Sequence, residues 1–118
     1  LITVEKIDRR FMGAEDGGGG PDMDVVRVGL HNLNLHLEYL TYLLQSRDWL
    51  AGGEMSLADL TAAAHLSCLD YTGDVPWKLW PVMRDWYARL KSRPSFRPLL
   101  ADHVAGMRPP PYYADPDF

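Results

Sequence analysis

The residue types in this chain that could do chemistry are few, and their spacing limits them further. His31, His36, His65 and His103 are the candidates for proton transfer or metal binding. No two of them stand three or four residues apart on one helix, the separation that turns two imidazoles toward one ion. His65 and Cys68 are three apart and could face each other, but on an alanine-rich helix the simpler reading is a satisfied core histidine beside an inert thiol. Ser46, Ser56, Ser67, Ser92 and Ser95 lack the Gly-x-Ser-x-Gly turn that exposes a nucleophilic hydroxyl. The run Gly17-Gly18-Gly19-Gly20-Pro21 would cradle a phosphate only with a strand before it and a Lys-Ser/Thr behind it. It has neither, and reads as a mobile loop. Tyr39, Tyr42, Trp77, Trp80, Trp86 and Tyr87 could line an apolar ligand pocket, although aromatics at such spacing more often fill a core. These residues predict no catalytic group and no metal site.

Composition narrows the function classes. Of the 118 residues 47% are hydrophobic and 24% charged, the mix of one globular domain. A chain of this length buries roughly two-thirds of its unfolded surface, enough for one core without disulfide or metal. The formal charge of −4 offers no basic field for a phosphate backbone, which disfavours nucleic acid. The single cysteine, Cys68, cannot form an internal bridge and fits a reducing compartment. No apolar run approaches the roughly 20 residues that cross a bilayer. The expected location is the cytoplasm.

The elements that must position these residues read as helices. Ile2, Val4, Ile7 and Phe11 alternate with charged residues, the pattern of a short amphipathic helix that stops at Gly13. It opens at Leu1 without a cap, as a helix already under way would, so the chain is expected to be a fragment. Met23, Val26, Leu30, Leu33, Leu37, Leu40 and Leu44 form the longest stripe at spacings of three and four. Pro21 suits its first position, with Asp22 and Asp24 at the dipole's positive end. Leu35, Tyr39, Tyr42 and Leu43 widen the apolar face beyond a coiled-coil seam.

The helix ends near Arg47, and the turn Trp49-Leu50-Ala51-Gly52-Gly53 should tuck its indole under the next element. Ser56-Leu57-Ala58-Asp59 is a capping box, in which hydroxyl and carboxylate satisfy two orphan N–H groups reciprocally. The small-residue helix behind it is expected to be buried nearly all round, with Asp59 at its buried start. A turn follows over Tyr71 to Pro76, then a short helix over Trp77 to Trp80. Pro81 opens a helix with Val82, Trp86 and Leu90 inward and Arg84 and Lys91 toward water. Arg93-Pro94 ends it, and Ser95 can cap a last short helix through Phe96, Leu99, Leu100 and Val104. After Gly106 the proline-rich tail is expected to be extended. It is either a strap along the bundle or a segment held out for a partner, with acidic Asp115 and Asp117 and the apolar anchor Phe118 at its end.

Trp49-Leu50-Ala51-Gly52, Ser56-Leu57-Ala58-Asp59-Leu60, Trp86-Tyr87 and Arg93-Pro94-Ser95-Phe96, in that order and spacing, resemble the C-terminal helical domain of the glutathione S-transferase family. The resemblance spans Leu1 to Val104. It implies an all-α bundle over 1–104, with the first helix truncated and the thioredoxin-like N-terminal domain absent, and a tail over 105–118. In the family the missing domain binds glutathione and supplies the catalytic residue, while the helical domain helps to form the hydrophobic-substrate pocket and the protein dimerises. By resemblance Ile7 and Phe11 face that pocket, and Ser56 and Asp59 form a structural cap. This chain alone is not expected to conjugate glutathione.

A narrower resemblance lies in Leu57-Ala58-Asp59-Leu60, Leu69-Asp70-Tyr71-Thr72-Gly73-Asp74-Val75-Pro76-Trp77, Arg93-Pro94-Ser95-Phe96-Arg97-Pro98-Leu99-Leu100 and Tyr113-Ala114-Asp115-Pro116-Asp117-Phe118. These are similar to an alphaproteobacterial branch that includes a non-catalytic, FtsZ-binding regulator of cell division. The resemblance implies a partner-binding tail at Tyr113, Asp115, Asp117 and Phe118. Pro116 departs from the branch, which carries Leu there.

Overall fold

The computed structural model describes residues 1–116. Its helices are α1 (Ile2–Lys6), α2 (Met23–Leu44), α3 (Leu57–Tyr71), α4 (Pro81–Lys91) and α5 (Arg97–Leu100). Four short 3-10 turns join them, at Asp8–Phe11, Ala14–Asp16, Trp77–Leu79 and Pro111–Ala114. The described residues contain no strand beyond two isolated bridges, Trp49 with Gly52 and Val104 with Met107. The fold is all-α. The chain divides into two compact units, Leu1–His36 and Leu37–Phe118, and α2 runs through the boundary between them.

In the first unit the expected single helix over Ile2 to Phe11 is two pieces, because the chain tightens from α1 into the 3-10 turn at Asp8–Phe11, a common way to end a helix. Ile2 is buried against Gly29 of α2, where a Cβ would come within 2.7 Å of the Ile2 side chain. Glu5 ties the unit together. Its carboxylate pairs with the Arg9 guanidinium at 2.6 Å and accepts from the Asp22 N–H at 3.1 Å. The hydrogen bond from Arg9, and then that from Asp22, hold the Glu5 carboxyl below its ordinary value. Asp22 itself caps α2, accepting from the Asp24 N–H at 3.0 Å, so the helix starts one residue after Asp22 and Pro21 stays outside it.

The glycine run is laced rather than loose. Gly18 and Gly19 donate to Gly13 and Arg9 carbonyls at 3.0 Å each, and Arg9 Nε donates to the Gly17 carbonyl at 2.9 Å. A Cβ on Gly18 would lie 2.0 Å from the Met12 carbonyl oxygen, so a bare backbone is what lets the loop close on itself.

The core of the second unit forms where α3, α4 and the segments around them bury Leu66, Tyr71, Met83, Trp86, Tyr87, Leu90, Phe96 and Leu100. Trp77 stacks on Tyr87 with ring centroids 4.8 Å apart, and Phe96 meets the Tyr87 edge at 6.0 Å. Three expectations change here. α3 buries one stripe, Asp59, Ala63, Leu66, Ser67, Asp70 and Tyr71, while Leu57, Ala64, His65 and Cys68 are exposed. Small residues lower the polarity of both faces, so composition alone does not show which face packs. His65 and Cys68 are therefore surface residues, not a core pair. The second stripe on α2 likewise faces out at Leu35, Tyr39 and Tyr42, since periodicity says which residues share a face and not what covers it.

Lys91, expected toward water, is fully buried. The last turn of α4 has the tail lying against it, and the chain beyond Leu100 carries no helical period that would announce this. The tail itself is not wholly extended. Pro111–Ala114 forms a 3-10 turn, because proline at the start of a tight turn gives up an N–H that has no partner there anyway. Ser95 does not cap α5, whose N-terminal flanking residue is Phe96 without a side-chain bond. Trp49 is half-buried, with the Arg89 guanidinium 4.4 Å above its ring.

Candidate functional site

The capping box is complete. Ser56 Oγ accepts from the Ala58 N–H at 3.3 Å and Asp59 Oδ2 accepts from the Ser56 N–H at 2.9 Å. Asp59 does more than cap. Its Oδ1 also accepts from the Leu50 N–H and from Trp86 Nε1, both at 2.9 Å, and the side chain is wholly buried. Burial opposes its ionisation, but the bonds from Leu50, Trp86 and Ser56 outweigh it and keep the carboxyl below its ordinary value. One carboxylate thus fastens the 49–52 turn, the start of α3 and the middle of α4. This is structural chemistry: every oxygen is occupied by the fold.

The tail is the second constellation. Tyr113 is 3% exposed. Its hydroxyl donates to the Leu99 carbonyl at 3.3 Å, and its ring meets the edge of Tyr71 at 5.1 Å. Tyr71 in turn donates to the Met107 carbonyl at 2.6 Å and accepts from the Val104 N–H at 2.9 Å. One residue back, Lys91 Nζ donates to the Tyr112 carbonyl at 2.8 Å and stands 3.9 Å from Asp70 Oδ2. Trp77 Nε1 donates to Asp70 Oδ1 at 2.8 Å. Burial pushes the Asp70 carboxyl up to about 6 against the pull of Trp77 and Lys91. Desolvation also lowers the Lys91 ammonium against the pull of Asp70 and Asp115. Beside this anchor an open groove of about 440 Å³ is lined by Val75, Pro76, Trp77, Lys78, Arg84 and Tyr112.

Of the tail residues singled out in the sequence, Tyr113 lies inside the fold and Asp115 is exposed. Asp117 and Phe118 lie outside the described residues. Ile7 is half-buried and Phe11 is exposed in the first unit. The neighbouring Glu5 and Arg9 already pair with each other. Among the described residues there is no group of three His, Cys, Asp or Glu placed to hold a metal, and no helix is long and apolar enough to cross a membrane.

Sequence reasoning missed Asp70 and Lys91. A signal was present for Asp70, which sits four residues after Leu66 and seven after Ala63 on the buried stripe of α3. A charge at a core position of a helix marks either a mistaken face or a buried partner. For Lys91 no local signal existed, because its burial depends on a tail about 20 residues away in sequence.

The comparisons with known proteins agree with this geometry. Residues 20–94 match the sequence profile described as "Glutathione S-transferase, C-terminal domain". Over all 118 residues the chain is 52% identical to FtsZ-localized protein A of Caulobacter vibrioides, covering 50% of that protein. The crystal structure of a glutathione S-transferase from Sinorhizobium meliloti superposes with a TM-score of 0.94 at 48% identity, over 98% of this chain and 50% of that one. A glutathione S-transferase from Rhodospirillum rubrum gives 0.90 at 46% identity, over 99% and 50%. FzlA from C. crescentus gives 0.89 at 51% identity, over 98% and 49%. The chain spans about half the length of each of these relatives. With a capping box at the start of a partly buried helix and a profile match over most of its length, the chain belongs to the glutathione S-transferase family, as its C-terminal helical domain.

Proposed function

We propose that this chain is the C-terminal half of a glutathione S-transferase-like protein that works with FtsZ as a non-catalytic adaptor in cell division, contacting its partner through the tail from Asp115 onward. The observation that carries this reading is the identity of 52% to FtsZ-localized protein A, which extends across all 118 residues and so includes the tail. The geometry supports it, because Tyr113 and the Tyr112 carbonyl are fixed in the body while Asp115, two residues on, is exposed. A fastened segment that carries an exposed acidic residue loses less entropy on binding than a free one. In this reading the complete protein is cytoplasmic, pairs this domain with a thioredoxin-like N-terminal domain and forms a homodimer. The test is co-sedimentation of the full-length protein with purified FtsZ filaments. Recovery in the pellet only with filaments is the expected result, and recovery independent of filaments would defeat the reading.

A second reading is an active glutathione transferase, favoured by the exposed Phe11 and half-buried Ile7, which would form one wall of an apolar substrate pocket. Glutathione itself would be held mainly by the N-terminal domain, which also supplies the conjugating chemistry. Calorimetric titration of glutathione into the full-length protein separates the two. Saturable heat at cellular glutathione concentrations supports the enzyme, and its absence across several temperatures supports the adaptor.

A further inference from the structure

Asp70 and Lys91 are both fully buried, yet neither caps a helix and neither belongs to the Asp59 network. A buried ammonium is costly unless a counter-charge and hydrogen-bond acceptors surround it. Here the counter-charge is Asp70, 3.9 Å away, and one acceptor is the backbone carbonyl of Tyr112 at 2.8 Å. Asp70 is held in turn by Trp77 Nε1 through Oδ1, while its Oδ2 has no hydrogen-bond partner among the described residues.

Other groups facing the pair are Tyr87, whose ring centroid is 5.5 Å from Lys91 Nζ, and Tyr112, Tyr113 and Asp115 of the tail. The described groups around Lys91 thus point one way: a cation drawn toward α3 by Asp70 and toward the tail by a carbonyl.

We propose that the Asp70–Lys91 pair is the anchor that fastens the Pro111–Ala114 turn, and with it the exposed Asp115 that follows, to the helical body. Lys91 takes hold of main chain, so the anchor does not depend on which side chain stands at position 112. Asp70 is a positioning residue: it keeps the ammonium charged and aimed at the carbonyl. The purpose of the anchor, to present the end of the tail at a fixed place, rests on the partner reading above; its existence does not.

A structural ion pair and a tail anchor differ in what happens when both charges are removed together. Replacing a buried pair with apolar or neutral groups is often neutral for global stability. It cannot restore the link from the body to the Tyr112 carbonyl, which then keeps only the Asp115 N–H of its own turn. The test is hydrogen exchange on the full-length protein without partner, for wild type, Asp70→Asn, Lys91→Met and the double variant. The Tyr113 and Asp115 amides donate to the Pro110 and Tyr112 carbonyls at 3.0 and 3.2 Å and report on the turn, while amides within α3 and α4 report on the body.

Lys91→Met is expected to speed exchange at Tyr113 and Asp115 by at least tenfold relative to the helices. The double variant is expected to recover the wild-type denaturation midpoint while its tail amides stay at least tenfold faster. Wild-type tail protection in the double variant, or tail and helix amides that accelerate in step in that variant, would overturn the proposal. Should a single variant fail to fold, the double variant decides alone. No FtsZ is present in this measurement, so its failure leaves the partner reading intact. Conversely, filament-independent sedimentation would remove the partner reading and leave the anchor standing.

Discussion

Trp86 Nε1 donates to Asp59 Oδ1 at 2.9 Å, across 27 residues of sequence, and the same oxygen accepts from the Leu50 N–H at 2.9 Å. A helix cap has therefore become the junction of three segments. Asp59→Ala removes the cap and strands two buried donors as well. Caps contribute about 0.5–2 kcal/mol, and each unsatisfied buried group costs about 1–3 kcal/mol. The expected loss is about 3–5 kcal/mol by chemical denaturation. Trp86→Phe should cost less, since it removes one donor and leaves the box complete; an equal loss would mean that Asp59 acts through the indole alone.

Stability should depend on pH through Asp70 in the direction opposite to the usual carboxylate. Its folded value, about 6, lies above the ordinary 3.8, so the native state takes up a proton that the unfolded state does not hold between those values. This contribution is fully present below about pH 4 and is lost as the pH rises through about 6, by at most about 3 kcal/mol. Asp59, held below its ordinary value, acts the other way, and its contribution is lost as the pH falls below the usual aspartate range. Denaturation midpoints at pH 5 and pH 7.5 for wild type and Asp70→Asn isolate the Asp70 effect. The wild type should lose more stability over that interval than the variant.

Asp115→Asn removes a charge from the exposed side of the tail without touching the buried Tyr113 and without setting a second cation beside Lys91, which Asp115 faces. Surface substitutions of this kind shift stability by about 0.5 kcal/mol or less. Sedimentation with FtsZ filaments should weaken at least fivefold while the melting temperature stays within a few degrees. Deleting the whole tail from residue 112 is a poorer experiment, because it also removes the Lys91 acceptor and the Tyr113 packing.

Within the glycine run the positions should be unequal. Gly18→Ala sets a Cβ 2.0 Å from the Met12 carbonyl oxygen, whereas nothing lies within 4 Å of a Cβ on Gly20. Gly18→Ala should destabilise by more than about 1 kcal/mol, the scale of overpacking. Gly20→Ala should be neutral or gain a few tenths through the unfolded chain. Equal effects in a thermal melt would show that the loop does not close as described.

The helices with strong local signals are legible in the chain's own residues. α2 follows from a stripe of three- and four-residue spacings, and the start of α3 from Ser56 and Asp59, because a capping box is satisfied within four residues. Pro81 opened α4 for the same local reason. The sequence also determined the family, since the Trp-Leu-Ala-Gly turn, the box and the Arg-Pro-Ser-Phe segment keep their order whatever packs around them.

Tertiary structure decided what each face meets. Lys91 lies at the end of an amphipathic helix and would face water if the tail were elsewhere, and only the return of Tyr112 makes it a buried cation. His65 and Cys68 are small or apolar enough in context to suit a core, and only the choice of stripe on α3 leaves them outside. Trp86 reaches Asp59 for a similar reason: a hydrogen bond between residues so far apart in sequence is fixed by how α3 and α4 cross, which no local period records.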